Sequence, residues 1–387
     1  MHKIKQAVPW ILALPVLLIS TFVVRRKNYI SFGEWFGKSS SDSAFYIFRA
    51  ASADINYNVA WITKSYRIRN HLVMQGYSCY HAYSIKGIFH QLRSRTFVST
   101  VNSRDFYPIA LVGPKNYIQL GHGLPFKKFF HQRLSKFAKL RFFIRSKLVE
   151  NYSYYAVTSS AFIDIARYQY GVNNSSLLKI PSARLDYFIE NDADSVRNKY
   201  GLSNQSGIII AYLPTHRDEG KSIDRILENL REINEIVLSE STNVTVLFKP
   251  HHYDIEKFRV LSPSFSNIRF CPEWDTNDIM LISDLFIGDY SGIVFDYFYL
   301  NKYEIGFCPD YDSYIEKNRD LYFNLEDIYE NLAKTSMELH DFIHSFVKNG
   351  DLKINNKKSF FINERDSNVS NSILAWDKLK STLICEE

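Results

Sequence analysis

Apolar positions follow two rhythms along this chain, and the change between them sets residues 1–27 apart from the body. Val8 to Val24 carries no charge and is flanked by Lys3 and Lys5 on one side and Arg25-Arg26-Lys27 on the other. A run of about 17 residues lies at the lower limit for spanning a bilayer, and Pro9 and Pro15 interrupt it. The pattern predicts a membrane anchor or interfacial segment over 1–27. Positive charge lies on both sides, and the basic cluster on the body side predicts a cytoplasmic location for the rest of the chain.

Beyond Lys27 the rhythm alternates between short β-type runs and helix-period segments. Asp42 to Trp61 reads as a helix. Thr96–Val101, Tyr117–Leu120 and Tyr154–Thr158 read as strands, and Ala161–Tyr170 as a helix ended by Gly171. A polar stretch from Glu190 to Gly207, with a short helix at Val196–Tyr200, breaks the pattern. It then restarts as strands at Gly207–Tyr212, Val244–Phe248 and Leu285–Ile287, with helices at Ile223–Leu238, at a segment closing on Ile279–Ile282, and from Ile293 to Leu300. Ile373–Leu383 reads as a last helix. Strands alternating with helices predict parallel sheets with crossover helices. Two such arrays describe an α/β protein with two Rossmann-like domains facing a cleft. The expected organisation is 1–27 anchor, 28–190 first domain on the acceptor and membrane side, 191–348 nucleotide-donor domain, and 349–387 tail.

Composition narrows this picture without redirecting it. With 15 Gly and 11 Pro in 387 residues, collagen-like and linker-like chains are excluded. A net charge of +6 requires any nucleic-acid surface to be a local patch, and no recognised DNA or RNA module accompanies one. Cys79, Cys271, Cys308 and Cys385 form no CxxC pair and no zinc-type spacing, so free thiols and no metal centre are expected.

Chemistry-bearing residues gather where strands end. Gly121-His122-Gly123-Leu124-Pro125 displays one imidazole in a glycine turn, as a structural group or as a base for a hydroxyl. Leu213-Pro214-Thr215-His216-Arg217 ends a buried strand with a hydroxyl and a guanidinium suited to phosphate. Lys249-Pro250-His251-His252 puts a cation and two imidazoles in one loop. Asp289-Tyr290-Ser291-Gly292 leads into a helix whose first amides are available to a phosphate, with Ser291 either capping that helix or offering its hydroxyl.

These four segments, in this order, resemble the CDP-glycerol glycerophosphotransferases of teichoic-acid synthesis. Gly121 to Lys128 is similar to that family's WHGTPLK, Leu213 to Arg217 to APTWR, Lys249-Pro250-His251 to K/R-x-HP, Asp284 to Tyr297 to ADVLITDYSSVMFDY, and Ile180 to Asp186 to G-x-PRND. The resemblance runs from about Ser84 to Phe323. It implies a GT-B fold at the cytoplasmic face of the membrane and transfer of glycerol phosphate or ribitol phosphate from a CDP-alditol, a substrate rather than a cofactor. It further implies His122 as the base and His251 as the second functional histidine, with donor contacts at Tyr290, Ser291, Gly292 and Arg319. Beside these, the strand-end chemistry adds Thr215, Arg217, Lys249 and Asp289 as donor-site groups. Departures are Leu120-Gly121 for the Trp before the His, Leu124 for Thr, His252 for Pro, Gly292 for the second Ser, and Asp320 for the Gly after Arg319.

No acidic residue occurs between Asp105 and Glu150, where Lys127, Lys128, Lys136, Lys139 and Arg141 accumulate beside a phenylalanine stripe at helical spacing. This predicts a basic amphipathic helix, either packed on the core with a solvated face or lying on an anionic membrane. The combined expectation is transfer of an alditol phosphate to a polyprenyl-linked or polysaccharide acceptor with release of CMP, and no nucleic-acid partner. The competing expectations are a nucleotide-sugar glycosyltransferase on the same scaffold and a non-catalytic membrane scaffold.

Overall fold

The computed structural model describes residues 23–107, 115–128, 152–170, 172–202, 207–217, 222–240, 243–261, 265–317, 320–350, 352–362 and 369–384. The expected anchor up to residue 22, the basic stretch from residue 129 with Lys136, Lys139 and Arg141, and Arg319 lie outside the described residues. Among the described residues no helix is long and apolar enough to cross a membrane.

The chain divides into two compact units. Unit 1 holds the described residues of Met1–His122, His131–Asp186 and Asp366–Glu387, and unit 2 those of Gly123–Phe130 and Tyr187–Arg365. The sequence reading puts the boundary after Glu190; the units divide after Asp186, and the last helix groups with unit 1 rather than forming a separate tail.

Unit 1 is built on seven strands: β1 (Arg26–Gly33), β2 (Asn58–Thr63), β3 (Cys79–His81), β4 (Ser94–Ser99), β5 (Asn116–Gln119), β6 (Tyr154–Val157) and β7 (Leu177–Lys179). Their order is β3-β2-β1-β4-β5-β6-β7, and every pairing is parallel. The order reverses direction at β1 and β4, so the loops leaving these two strands diverge and open a crevice at their carboxyl ends. The helix begun at Asp42 stops at Ser52, and Asn58–Thr63 is a strand where the sequence pattern continues the helix. Val59 to Thr63 is buried throughout, so the strand lacks the alternation that would reveal it. β1 is likewise absent from the sequence reading, which assigns Arg25-Arg26-Lys27 to the flank of the anchor.

The aromatic residues concentrate here. Phe32, Phe48, Trp61, Phe97, Phe106 and Tyr117 are fully buried, so part of the high aromatic content is ordinary core. The C-terminal helix Asn371–Ile384 is held to unit 1 at its first turn, where the Asn371 and Ser372 amides donate to the buried Asp186 carboxylate at 2.7 and 2.8 Å. A carboxylate at a helix N-terminus satisfies orphan amides and complements the dipole.

Unit 2 has six strands: β8 (Ile208–Tyr212), β9 (Val244–Phe248), β10 (Ile268–Phe270), β11 (Leu285–Gly288), β12 (Tyr303–Phe307) and β13 (Leu332–Ala333). They are all parallel in the order β10-β9-β8-β11-β12-β13, with the reversal at β8 and β11. Helix Ser222–Glu240 covers the sheet with Ile226, Leu230, Ile233 and Val237, all fully buried and spaced by three or four residues. Each unit therefore places its strand-end loops at its own topological switch point.

Candidate active site

In unit 1 the glycine turn follows β5. Gly121 and Gly123 take φ of +72° and +121°, a backbone region that glycine alone enters without strain, and His122 is exposed between them. The Gln119 side chain fixes the turn, accepting from the Gly121 amide at 3.1 Å and donating to the Val101 carbonyl at 3.0 Å. The His122 ring hydrogen-bonds the Thr100 backbone beyond β4. Its pKa is lowered, first by desolvation against the packed loop and further by Arg184, with Asp42 acting in the opposite direction. A neutral imidazole that donates one nitrogen to a carbonyl keeps a lone pair on the other, the state a general base requires.

Residues that sequence reasoning missed surround this ring. The Trp35 indole meets it edge-on with centroids 5.4 Å apart, and Trp35 Nε1 donates to Asp42 Oδ2 at 2.9 Å. Asp42 also caps helix Ser43–Ser52, accepting from the Ser43 amide, and lies 3.6 Å from Arg184. Trp35 and Phe36 adopt φ of 45° and 60°, which costs non-glycine residues about 1–3 kcal/mol each. Two buried carboxylates hold this strained turn. Asp105 accepts from the Phe36 amide at 2.6 Å, and Glu34 accepts from the Ser41 and Asp42 amides. Burial pushes Asp105 up to about 6, and burial together with the Asp42 charge pushes Glu34 up to about 8. The Trp that the family motif carries before its histidine is replaced by Gly121; in this chain an indole reaches the same imidazole from the turn after β1.

In unit 2 the loops after β8, β9 and β11 converge at the switch point, and several of the expected donor-site residues have protein partners there. Arg217 is buried; Nη1 bonds Asp289 Oδ2 at 2.6 Å, Nε bonds Asp310 Oδ2 at 3.2 Å, and the guanidinium lies over the Tyr290 and Tyr314 rings. Burial alone would lower its pKa, but the two carboxylates raise it overall. In this structure Arg217 pins the loops together through both carboxylates. Asp289 accepts from the Thr215 and Tyr290 amides as well as from Arg217. Tyr290 is fully buried, donates to Asp310 at 2.9 Å and stacks on Tyr314 at 3.7 Å. Lys249 donates to the Trp274 carbonyl, and burial lowers its pKa. These four engagements share one cause: a strand-end loop crossing a crevice must satisfy its own buried polar atoms first.

What stays available is a smaller set. The Ser291 and Gly292 amides have no acceptor among the described residues, and Ser291 is partly exposed. Ile293 is 3.5 Å from Ser291 Oγ, at the outer limit of a hydrogen bond, so capping holds this hydroxyl only weakly. The following helix Ile293–Phe298 has six residues, and its dipole is correspondingly small. A Cβ on Gly292 would meet the Leu124 carbonyl at 2.5 Å, which explains glycine where the family motif has serine. Thr215 Oγ1 is buried without a hydrogen-bond partner.

His251 Nδ1 faces the Tyr253 amide at 3.4 Å, which leaves the ring proton on Nε2. Burial and the neighbouring His252, His216 and Lys127 push its pKa down to about 4, so it is a neutral donor at pH 7 rather than a cation. Lys127 lies over the Tyr314 ring and Lys128 pairs with Asp320 at 2.5 Å, so the first two lysines of the basic stretch have partners inside unit 2. Asp320, the departure from the family glycine, is the residue that receives Lys128. Among the described residues no cluster of His, Cys, Asp or Glu could hold a metal ion, and Cys79, Cys271 and Cys308 are buried free thiols.

Two parallel Rossmann-type units with polar switch-point loops define a GT-B-like α/β protein. The structure superposes on the wall teichoic acid polymerase TagF with a TM-score of 0.72 at 19% identity, covering 99% of this chain and 96% of that one. The profile of the CDP-glycerol:poly(glycerophosphate) glycerophosphotransferase family matches residues 17–375, and the chain belongs to that family. It is 26% identical to a teichoic acid poly(ribitol-phosphate) polymerase of Bacillus spizizenii over 70% of this chain and 45% of the relative. It is also 26% identical to a teichoic acid poly(glycerol phosphate) polymerase of Staphylococcus epidermidis over 77% of this chain and 43% of the relative. The alignments thus span a little under half the length of these curated relatives.

Proposed function

We propose that this protein transfers an alditol phosphate from a CDP-alditol to an acceptor hydroxyl. The hydroxyl oxygen bonds the β-phosphorus, the bond from that phosphorus to the bridging oxygen breaks, and its electron pair leaves with CMP. His122 takes the hydroxyl proton. In unit 2 the Nε2–H of neutral His251 and the Ser291 and Gly292 amides receive the donor phosphates, an arrangement that stabilises charge on the transferring group without a net cation at each contact. The observation that carries this reading is His122: a neutral imidazole in a glycine turn, one nitrogen engaged by the Thr100 backbone, in a chain of this family.

The acceptor in this reading is a polyprenyl-linked or surface-polysaccharide chain at the cytoplasmic membrane. Val8 to Val24 supplies the anchor, and the later part of the basic stretch, with Lys136, Lys139 and Arg141, meets anionic lipid. The relatives include both ribitol phosphate and glycerol phosphate polymerases, so both alditols belong in the test. Purified membranes carrying the protein are supplied with CDP-glycerol, CDP-ribitol and UDP-sugars, and nucleotide release is measured. CMP release from one CDP-alditol supports the reading. UDP release with no CMP would replace it with nucleotide-sugar transfer, and no turnover of any donor would point to a scaffold.

A further inference from the structure

His216 occupies the position at which the family motif APTWR carries tryptophan, and it brings a second ring nitrogen that an indole lacks. Its Nδ1 lies 2.7 Å from Oδ2 of Asp254, a carboxylate with no solvent exposure at the start of the helix Ile255–Leu261. The other Asp254 oxygen lies 3.6 Å from Lys257. The His216 ring stacks on His251 at 5.6 Å with an interplanar angle of 28°, and His251 in turn lies 4.2 Å from His252. His216 Nε2 has no hydrogen-bond partner among the described residues, and the side chain is about one-fifth exposed. The adjacent Thr215 Oγ1 is the buried hydroxyl left without a partner.

A buried carboxylate behind one ring nitrogen orients the imidazole and leaves the opposite nitrogen without a partner among the described residues. When the ring carries a proton on both nitrogens, that nitrogen meets an anionic phosphoryl oxygen with a charge-assisted bond, stronger than the neutral donor that His251 supplies. His216 would add a further anion-facing group to His251 and the Ser291 and Gly292 amides.

We propose that His216, held by Asp254, is a binding residue for the β-phosphoryl group of the nucleotide donor, at a site where the family motif offers an indole. His216 touches the donor, and Asp254 is the positioning residue behind it. The proposal rests on the donor being a cytidine diphosphate derivative. It makes no use of covalent chemistry, because an Nε2–H to a phosphoryl oxygen needs no proton transfer to hold the ligand.

The test is calorimetric titration of the full chain with CDP and, separately, with CMP, which lacks the β-phosphoryl group. His216→Ala is expected to weaken CDP binding about tenfold, the loss of one charge-assisted bond, while CMP binding changes little. His216→Trp should lose the same increment despite installing the family residue. His216→Gln, which keeps an uncharged N–H near the Nε2 position, should recover part of it. Asp254→Asn should show the CDP-selective loss without adding to it in the double variant, since the two residues act as one unit. Unchanged CDP affinity in both the Ala and Trp variants overturns the proposal. Equal losses for CDP and CMP accompanied by a lower melting temperature overturn it as well, because His216 would then be supporting the loop only. If the wild-type chain binds neither cytidine nucleotide but binds UDP, the donor reading fails instead, and the proposal fails with it.

Discussion

The two switch-point sites solve different problems with the same residue type. In unit 1 a single imidazole stands in a rigid frame: glycines on both sides, the Thr100 backbone on one ring nitrogen, an indole at its edge, and a strained turn held by two buried carboxylates. In unit 2 three imidazoles lie side by side while the guanidinium and the tyrosine expected to meet the donor are locked inside the loops by Asp289 and Asp310. The first arrangement fixes the direction of one lone pair, as the proposed proton abstraction requires. The second assembles several donors around a space, as the proposed binding of a diphosphate requires. Strand-end polarity alone does not distinguish these roles; the partners of each side chain do.

The sharpest break between the sites is His122→Ala. It should reduce transfer about a thousandfold, measured as CMP release, without moving the melting temperature, because a positioned general base contributes about 10²–10⁴-fold and the exposed ring adds little to packing. Arg217→Met should do the reverse. Leaving Asp289 and Asp310 without their buried cation should cost about 3–5 kcal/mol in denaturant unfolding, whereas a donor contact would show mainly as a raised donor KM.

Gly292→Ala sharpens the steric side of unit 2. A Cβ placed 2.5 Å from the Leu124 carbonyl forces backbone to move, with an expected loss of about 1–3 kcal/mol. Trp35→Ala should lower kcat about tenfold with donor KM unchanged, since it frees the His122 ring from its edge contact and leaves unit 2 intact.

The smallest effect is a pH slope. Glu34 titrates near 4.5 in an unfolded chain and is pushed up to about 8 in the folded one. Between those values the folded state holds the extra proton, so this contribution is complete below pH 4.5 and is lost as pH rises toward 8. Glu34→Gln should flatten the fall of stability across that window, read by denaturant titration at several pH values.

The sequence makes the second array more legible than the first, and the reason is physical. β8, β9 and β11 are compact apolar runs bounded by turn residues, and helix Ser222–Glu240 shows its stripe at helical spacing. β1 and β2 are hidden: one follows a basic cluster that reads as an anchor flank, and the other is buried on both faces and continues a helical stretch of apolar residues. Among candidate site residues, His122 and His251 stand out in the sequence by their turn and loop chemistry. Arg217 and Tyr290 also stand out by type, but their engagement depends on Asp310, distant in sequence and silent until the fold brings it in. Trp35 and Asp42 could have been marked by the turn-prone Trp35-Phe36-Gly37 segment and the helix cap that follow the missed strand.

The most direct test of the account is a stoichiometry. Membranes with the wild-type chain are incubated with CDP-glycerol or CDP-ribitol, and the acceptor mass and free CMP are followed together, with His122→Ala in parallel. The account predicts that each CMP released matches one alditol phosphate added to the acceptor, and that both signals vanish in the variant. Acceptor mass rising by a sugar unit, or CMP and alditol phosphate appearing undiminished with His122→Ala, would contradict it.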